Sequence, residues 1–216
     1  MTDRVPRLRF VFASDAPVCV ILRRGPSRWV HLLKWNTLDD TIEPGAWFRG
    51  RIHDDGCDLS PDGKLFVYFA TQYDRMPAQG YSVAWTAVSK PPWLTALAMW
   101  PRDDSWGDRA YFADSTTVVI DCPHWEQLIA HKNHPPRGLN VVTRWIGRDA
   151  PKQKLPEMPH KTAHFGTSEG LDHAGKPFWV VDGQLLRESN GGAAVIADFR
   201  LMHQERTSSP PWARTW

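Results

Sequence analysis

The chain has 216 residues, of which 23% are charged, and its formal net charge is only +2 at pH 7. A length in this range is often a single all-β domain, and so small a net charge argues against a basic field that would attract nucleic acid. We therefore expect no nucleic-acid partner. The 12 tryptophans exceed what a core alone requires, which favours stacked sheets or an aromatic-rich binding surface.

The N-terminus and the cysteines indicate where the protein resides. Residues Met1–Arg7 lack the apolar stretch of a secretory signal, and no apolar run has the length of a membrane span. We predict a soluble cytoplasmic protein with no membrane partner. Cys19, Cys57 and Cys122 are odd in number and lie in or beside apolar segments, so we expect buried, reduced thiols and no disulfide framework.

The first predicted unit covers residues 7–50. It begins with two apolar strands on either side of Asp15, and Trp29–Asn36 then reads as a third strand. A fourth strand contains Pro44, which lacks a backbone N–H and is tolerated at a sheet edge or bulge. The pattern predicts an outer edge strand there.

The second unit, residues 51–102, contains the clearest local motif. In the turn Ser60–Lys64, Pro61 presets φ at the first turn position and Gly63 accepts the positive φ that the reversal needs. The six residues Leu65–Ala70 that follow are all apolar or aromatic. Their number and type predict a strand that is buried on both faces.

The segment Leu59–Lys64, with the sequence LSPDGK, resembles the repeat unit of TolB-type and WD40-like β-propellers, in which such a turn precedes an apolar strand. The resemblance covers about fifteen residues. It implies blades of four antiparallel strands. It also implies that the two chain ends share one blade, so that Phe10–Phe12 pairs near Ala193–Phe199.

A search for repeats extends this motif along the chain. Asp15, Asp62, Asp114 and Ala174 occupy equivalent places in four strand-turn-strand patterns, at spacings of 47, 52 and 60 residues. A four-stranded blade takes roughly 40 to 50 residues. We predict an all-β, single-domain, small β-propeller-like fold of four blade units, with five as the alternative. The units cover about residues 7–50, 51–102, 103–148 and 160–206.

The later units contain less regular segments. Pro123 near the start of an amphipathic stretch predicts one short helix near residues 123–131. Residues 147–159 are proline-rich and read as a long loop. Asp182-Gly183 is typical of a two-residue hairpin turn, and residues 207–216 read as an extended C-terminal arm.

Candidate chemical groups do not form a recognised catalytic set. His160 and His164 are one helical turn apart, as in a zinc pair, but no acid or cysteine completes the ligands. The acidic pairs Asp39-Asp40, Asp54-Asp55 and Asp103-Asp104 fall where turns are predicted. The sequence lacks Gly-x-Ser-x-Gly and a glycine-rich phosphate loop, and we expect no catalytic residue, metal or cofactor.

The aromatic residues offer the best candidate surface. Trp93, Trp100, Arg102 and Trp106 lie close together in sequence, and Trp212 and Trp216 end the chain. Tryptophan and arginine are enriched at protein interfaces. Packing between blades is the alternative role for the first group.

These patterns favour a non-catalytic protein-interaction or scaffold subunit of a larger intracellular complex. The alternative is a propeller-type hydrolase acting on a small or sugar-like substrate at the central channel, which requires carboxylates or histidines converging from different blades.

Overall fold

A computed structural model describes residues 5–25, 28–74, 77–102, 109–158, 169–189, 191–205 and 207–216. Within these residues the regular elements are fifteen strands and one 3-10 helix, Pro211–Arg214. The prediction of an all-β protein is confirmed. The short helix predicted near residues 123–131 is wrong, because the chain makes a turn after Pro123 and then has no regular structure up to residue 131.

The strands form four sheets, each built from one continuous part of the chain. The first sheet contains β1 (Arg7–Phe12), β2 (Val18–Arg24), β3 (Trp29–Asn36) and β4 (Thr41–Arg49). The second contains β5 (Arg51–Leu59), β6 (Phe66–Thr71), β7 (Ala84–Ser89) and β8 (Ala98–Arg102). The third contains β9 (Ala110–Phe112), β10 (Thr117–Pro123) and β11 (Asn140–Ile146). The fourth contains β12 (Glu169–Leu171), β13 (Pro177–Val181), β14 (Gln184–Ser189) and β15 (Gly192–Asp198). Each sheet lies inside one of the four ranges predicted for the units.

Among the described strands, pairing is antiparallel with one exception. β11 pairs with β10 in parallel, with Thr117 opposite Asn140. A parallel pair requires a crossover connection of a dozen residues or more, and residues 124–139 provide it. The pairing expected between the chain ends is also wrong, because β1 and β15 belong to different sheets.

The local turn predictions are confirmed. Gly63 has a φ of +72°, and its N–H donates to the Ser60 carbonyl oxygen at 2.8 Å. The Asp62 carboxylate accepts hydrogen bonds from the Ser60 hydroxyl at 2.7 Å and the Lys64 N–H at 3.2 Å. A Cβ at position 63 would lie 2.8 Å from Cβ of Val18, so both the backbone and the contact with the first sheet require glycine.

Two further expectations about strand ends are met. Pro44 lies in β4, an outer edge strand that pairs with β3 and has a register shift near the proline. Asp182 and Gly183 have φ values of 48° and 77°, as a primed hairpin turn requires, and they join Val181 to Gln184. Cys19, Cys57 and Cys122 are all buried.

Three apolar clusters show how the sheets pack. The first cluster joins the first and second sheets. Another cluster joins the second and third sheets, and the last one joins the first and fourth sheets. β5 lies between β1 and β9, so the first strands of three successive sheets lie side by side.

The side chain of Asp58 connects the second and third sheets through hydrogen bonds. It is only 2% exposed; one carboxylate oxygen accepts from the Leu59 N–H and the other from the Phe112 N–H, each at 2.7 Å. Phe112 belongs to β9, so one carboxylate holds the two neighbouring first strands together.

The fourth sheet is joined to the first by buried arginines. Arg187 donates to Asp172 at 2.6 Å, lies 3.0 Å from an oxygen of Asp40, and has its guanidinium 5.2 Å from the Trp35 ring centroid. From the first sheet, Arg23 donates to the carbonyl oxygen of Phe199 at 2.8 Å. The junction therefore combines an aromatic core with charged hydrogen bonds.

A histidine of the first sheet is held in an environment that disfavours its charge. His31 is 4% exposed, and its ring stacks on Trp47 with centroids 4.1 Å apart and an interplanar angle of 8°. Burial, followed by the nearby positive charge of Arg23, lowers the pKa of His31 to about 4.

We expect Asp58→Asn to lower the free energy of unfolding by about 2 to 3 kcal/mol, because an amide nitrogen would face a backbone N–H donor in a buried site. The measurement is urea unfolding followed by tryptophan fluorescence. Asp55→Asn, in the same strand but exposed, is the matched control and should change stability by less than about 0.5 kcal/mol. Equal stability of the two variants would contradict this role of Asp58.

We expect His31 to make the protein less stable in acid. The unfolded chain takes up a proton near pH 6.5 and the folded chain only near pH 4, so stability is lost as pH falls through this window, by about 3 kcal/mol. His31→Phe keeps a ring against Trp47 but cannot titrate. Unfolding free energies of both proteins at several pH values should converge or cross toward pH 4, and parallel curves would contradict the assignment.

Candidate functional site

Three of the residues predicted to form an interaction surface are buried. Trp93 is 7% exposed, Trp100 2% and Arg102 3%. Trp100 belongs to the apolar cluster between the second and third sheets. Arg102 lies 3.3 Å from a carboxylate oxygen of Glu126 and donates to the sulfur of Cys122 at 3.5 Å. This corrects the prediction for these three residues, whose side chains are buried and do not form an exposed surface.

The other predicted residues are either outside the described part of the chain or in the C-terminal arm. Trp106, His160 and His164 lie outside the described residues. Trp212 and Trp216 in the C-terminal arm are 47% and 40% exposed. In the described parts of the chain, no group of three or more His, Cys, Asp or Glu side chains is arranged to hold a metal ion.

The C-terminal arm is attached to the connection between β7 and β8. The ammonium group of Lys90 donates to the carbonyl oxygens of Trp212 and Thr215, at 3.2 and 2.7 Å. The hydroxyl of Thr95 donates to that of Ser209 at 2.7 Å. The arm thus crosses from the fourth sheet to the second. It was expected to be extended, but it includes the 3-10 helix Pro211–Arg214.

The crossover segment, residues 124–139, covers the outer edge of the second sheet. The His131 N–H donates to the Met99 carbonyl oxygen at 2.8 Å, and the Met99 N–H donates to the His134 carbonyl oxygen at 3.1 Å. Met99 lies in the edge strand β8, whose backbone groups would otherwise be open to another chain. Leu128 packs into the cluster between the second and third sheets. The backbone of the segment is therefore held at several points.

The crossover segment exposes two large apolar side chains beside a cleft. Trp125 is 69% exposed and Ile129 is 65% exposed. The cleft has a volume of about 780 Å³ and is lined by Gln79, Gly80, Pro101, Trp125, Glu126, Gln127, Ile129, Ala130, His131 and Lys132. We call it the Trp125 cleft. It combines an apolar surface with a charged carboxylate and a charged ammonium group.

Three aromatic rings support the cleft. The His134 ring donates through Nδ1 to the Ala96 carbonyl oxygen at 2.9 Å, so in the neutral ring Nε2 accepts from the Tyr81 hydroxyl at 3.1 Å. His131 lies with its ring centroid 4.1 Å from that of Tyr81. Burial lowers the pKa of His131, and the neighbouring His134 and Lys132 act in the same direction. The His131 ring is therefore neutral at pH 7, and both nitrogens of His134 are already engaged.

Sequence reasoning found the residues of the crossover segment but misjudged their arrangement. A helix would place Trp125, Leu128 and Ile129 on one apolar face. In the irregular segment, Leu128 points into the core while Trp125 and Ile129 face solvent. No local signal in the sequence distinguishes the two arrangements, because Pro123 is compatible with the first position of a helix and Pro135-Pro136 lie beyond residue 131.

Comparisons with known proteins complete the description of the site. Within the described residues, no helix has the length and apolar character needed to cross a membrane. No protein-family model, no curated protein and no solved structure matches the chain.

Proposed function

We propose that the protein is a non-catalytic protein-interaction or scaffold subunit of a larger intracellular complex, and that it binds its partner protein at the Trp125 cleft. The observation that carries this proposal is the exposure of Trp125 and Ile129 beside an open cleft. Tryptophan is among the residues that most often dominate binding energy at protein interfaces.

We also propose that the four sheets are the blades of a small β-propeller-like domain. Three observations support this. Each sheet is a separate, sequential unit, the first strands of three sheets lie side by side, and the turn Ser60–Lys64 has the geometry that its resemblance to propeller repeats implies. A propeller holds its loops on a rigid scaffold, which suits a binding module.

The Trp125 cleft is formed before a partner arrives. The crossover segment is attached to β8 by two backbone hydrogen bonds, and the ring of His134 is held from both sides. A surface that is already ordered loses little conformational entropy on binding. The partner would place an apolar side chain against Trp125 and Ile129, while polar groups contact the Glu126 carboxylate and the Lys132 ammonium group.

The alternative, a hydrolase at the central channel, has less support. It requires free carboxylates or histidines on the first strands. Of the described carboxylates there, Asp54 is paired with Arg9 at 2.7 Å and Asp58 accepts two backbone hydrogen bonds. The two others, Asp55 and Glu169, are exposed and lie in strands of different sheets. We therefore develop the interaction proposal.

We expect Trp125→Ala to weaken partner binding at least tenfold, because truncating a central tryptophan typically costs more than about 1.4 kcal/mol. The tagged full chain is purified from its native host, partners that copurify stoichiometrically are identified, and their affinity is measured with purified components. The variant should unfold at the same temperature as the unaltered protein, since its side chain is mostly exposed.

Trp212→Ala is the matched control, because it removes an exposed tryptophan from the C-terminal arm. It should change the affinity for the partner by less than about twofold, which corresponds to well below one kcal/mol of binding free energy. Loss of binding in this variant with retention in Trp125→Ala would move the interface to the arm and overturn the proposed site. A full chain that purifies from its host as a free monomer would contradict the role as a subunit.

A further inference from the structure

Arginines from three strands meet at one end of the first and second sheets. Antiparallel pairing places Arg7, the first residue of β1, opposite Arg24, the last residue of β2. Arg51 begins β5, which lies beside β1. Arg7, Arg9 and Arg51 are all near enough to Arg24 for their positive charges to act on it.

These arginines are only partly balanced by the acids around them. Arg9 donates to Asp54 at 2.7 Å, and the charge of the same carboxylate also acts favourably on Arg24. Among the residues that the structure describes, Arg7, Arg24 and Arg51 form no salt bridge. Asp55, in the same part of β5, is exposed, and four arginines therefore meet two aspartates.

The histidine of this region does not change the balance. Burial lowers the pKa of His53, and the charge of Arg51 contributes in the same direction. Its ring lies 4.8 Å from that of Phe69, and Nε2 is 3.4 Å from the Thr71 hydroxyl. His53 is thus neutral at pH 7 and adds no positive charge to that of the arginines.

The arrangement is unfavourable for the protein alone. Like charges that lie directly opposite each other on neighbouring strands destabilise a sheet. Arg24 is also partly desolvated, since its exposure is intermediate and burial lowers its pKa. An anion among the three guanidinium groups would offset both costs, and arginine's planar set of N–H donors suits the oxygens of phosphate.

We propose that Arg7, Arg24 and Arg51 form a binding site for a small phosphate-bearing ligand that carries at least two negative charges. The site is distinct from the Trp125 cleft, and it adds a small-molecule ligand to a protein for which only a protein partner is otherwise proposed.

The charges beyond the three arginines favour a compact ligand over a nucleic acid. Arg28 and Arg49 lie at the same end of the first sheet, but both are paired with Asp74, at 2.5 and 3.0 Å. The unbalanced charge is thus confined to neighbouring strands, which are spaced about 4.8 Å apart. A nucleic-acid strand requires a positively charged groove that follows its backbone.

The test is isothermal titration of the full chain with inorganic pyrophosphate at low ionic strength. We expect saturable binding with one site, and at least tenfold weaker binding in Arg51→Gln and Arg7→Gln. Both residues are exposed, so these variants should fold normally. Pyrophosphate should also raise the unfolding temperature of the unaltered protein, and this rise should be absent or strongly reduced in Arg51→Gln.

Arg49→Gln is the matched control, because it removes an exposed arginine that is already paired at the same end. Its affinity for pyrophosphate should stay within about twofold of that of the unaltered protein, because the substitution removes only a nearby charge that is screened by salt. Equal weakening in Arg49→Gln and Arg51→Gln would show diffuse charge attraction and overturn the proposal. So would a lack of binding at millimolar pyrophosphate.

Two further titrations identify the source of the phosphate. Tighter binding of a nucleoside diphosphate than of pyrophosphate, lost in Arg51→Gln, supports a site for an organic phosphate, whereas the reverse order supports an inorganic one. A single-stranded oligonucleotide that binds more than tenfold tighter than either would overturn the compact site. Trp125→Ala should bind pyrophosphate with unchanged affinity. Failure of the proposed partner site and failure of the proposed phosphate site can therefore be told apart.

Discussion

The burial of interior strands on both faces is the constraint on which the rest of the structure depends. All six residues of β6 are buried. Phe66, Tyr68 and Ala70 pack toward the first sheet, while Val67 packs toward the third. A sheet of three or four strands whose two faces are both apolar requires a neighbour on each side. The side-by-side packing of the sheets follows from this requirement.

The same constraint explains where binding surfaces arise. Once the faces are covered, the open edges and the connections between strands remain for recognition. The crossover to β11 covers the edge strand β8, and in doing so it turns Leu128 inward and Trp125 outward. At the other site, packing of β5 beside β1 brings Arg51 toward Arg24. Both candidate sites are therefore consequences of how sheets pack.

Sequence reasoning succeeded where neighbouring residues decide the conformation. Proline, aspartate and glycine in Ser60–Lys64 define a turn whose hydrogen bonds lie within six residues, and Asp182-Gly183 defines a hairpin in the same way. It failed at residues 123–131, where apolar spacing suggested a helix, although the His131 N–H donates to Met99 and the His124 N–H donates to Ile146. The acids Asp54 and Asp55, expected in a turn, lie within β5, because the strand is longer than its apolar residues indicate.

The sequence by itself determined the all-β class, the turns and the edge position of Pro44, since these depend on local chemistry and short periodicity. Tertiary structure alone decided that Trp93 and Trp100 are buried while Trp125 is exposed, and that arginines separated by up to 44 positions meet at one end of two sheets. Exposure and convergence of charge depend on which strands become neighbours. That is set by packing between residues far apart in the chain, and a scattered distribution of charge in sequence does not reveal it.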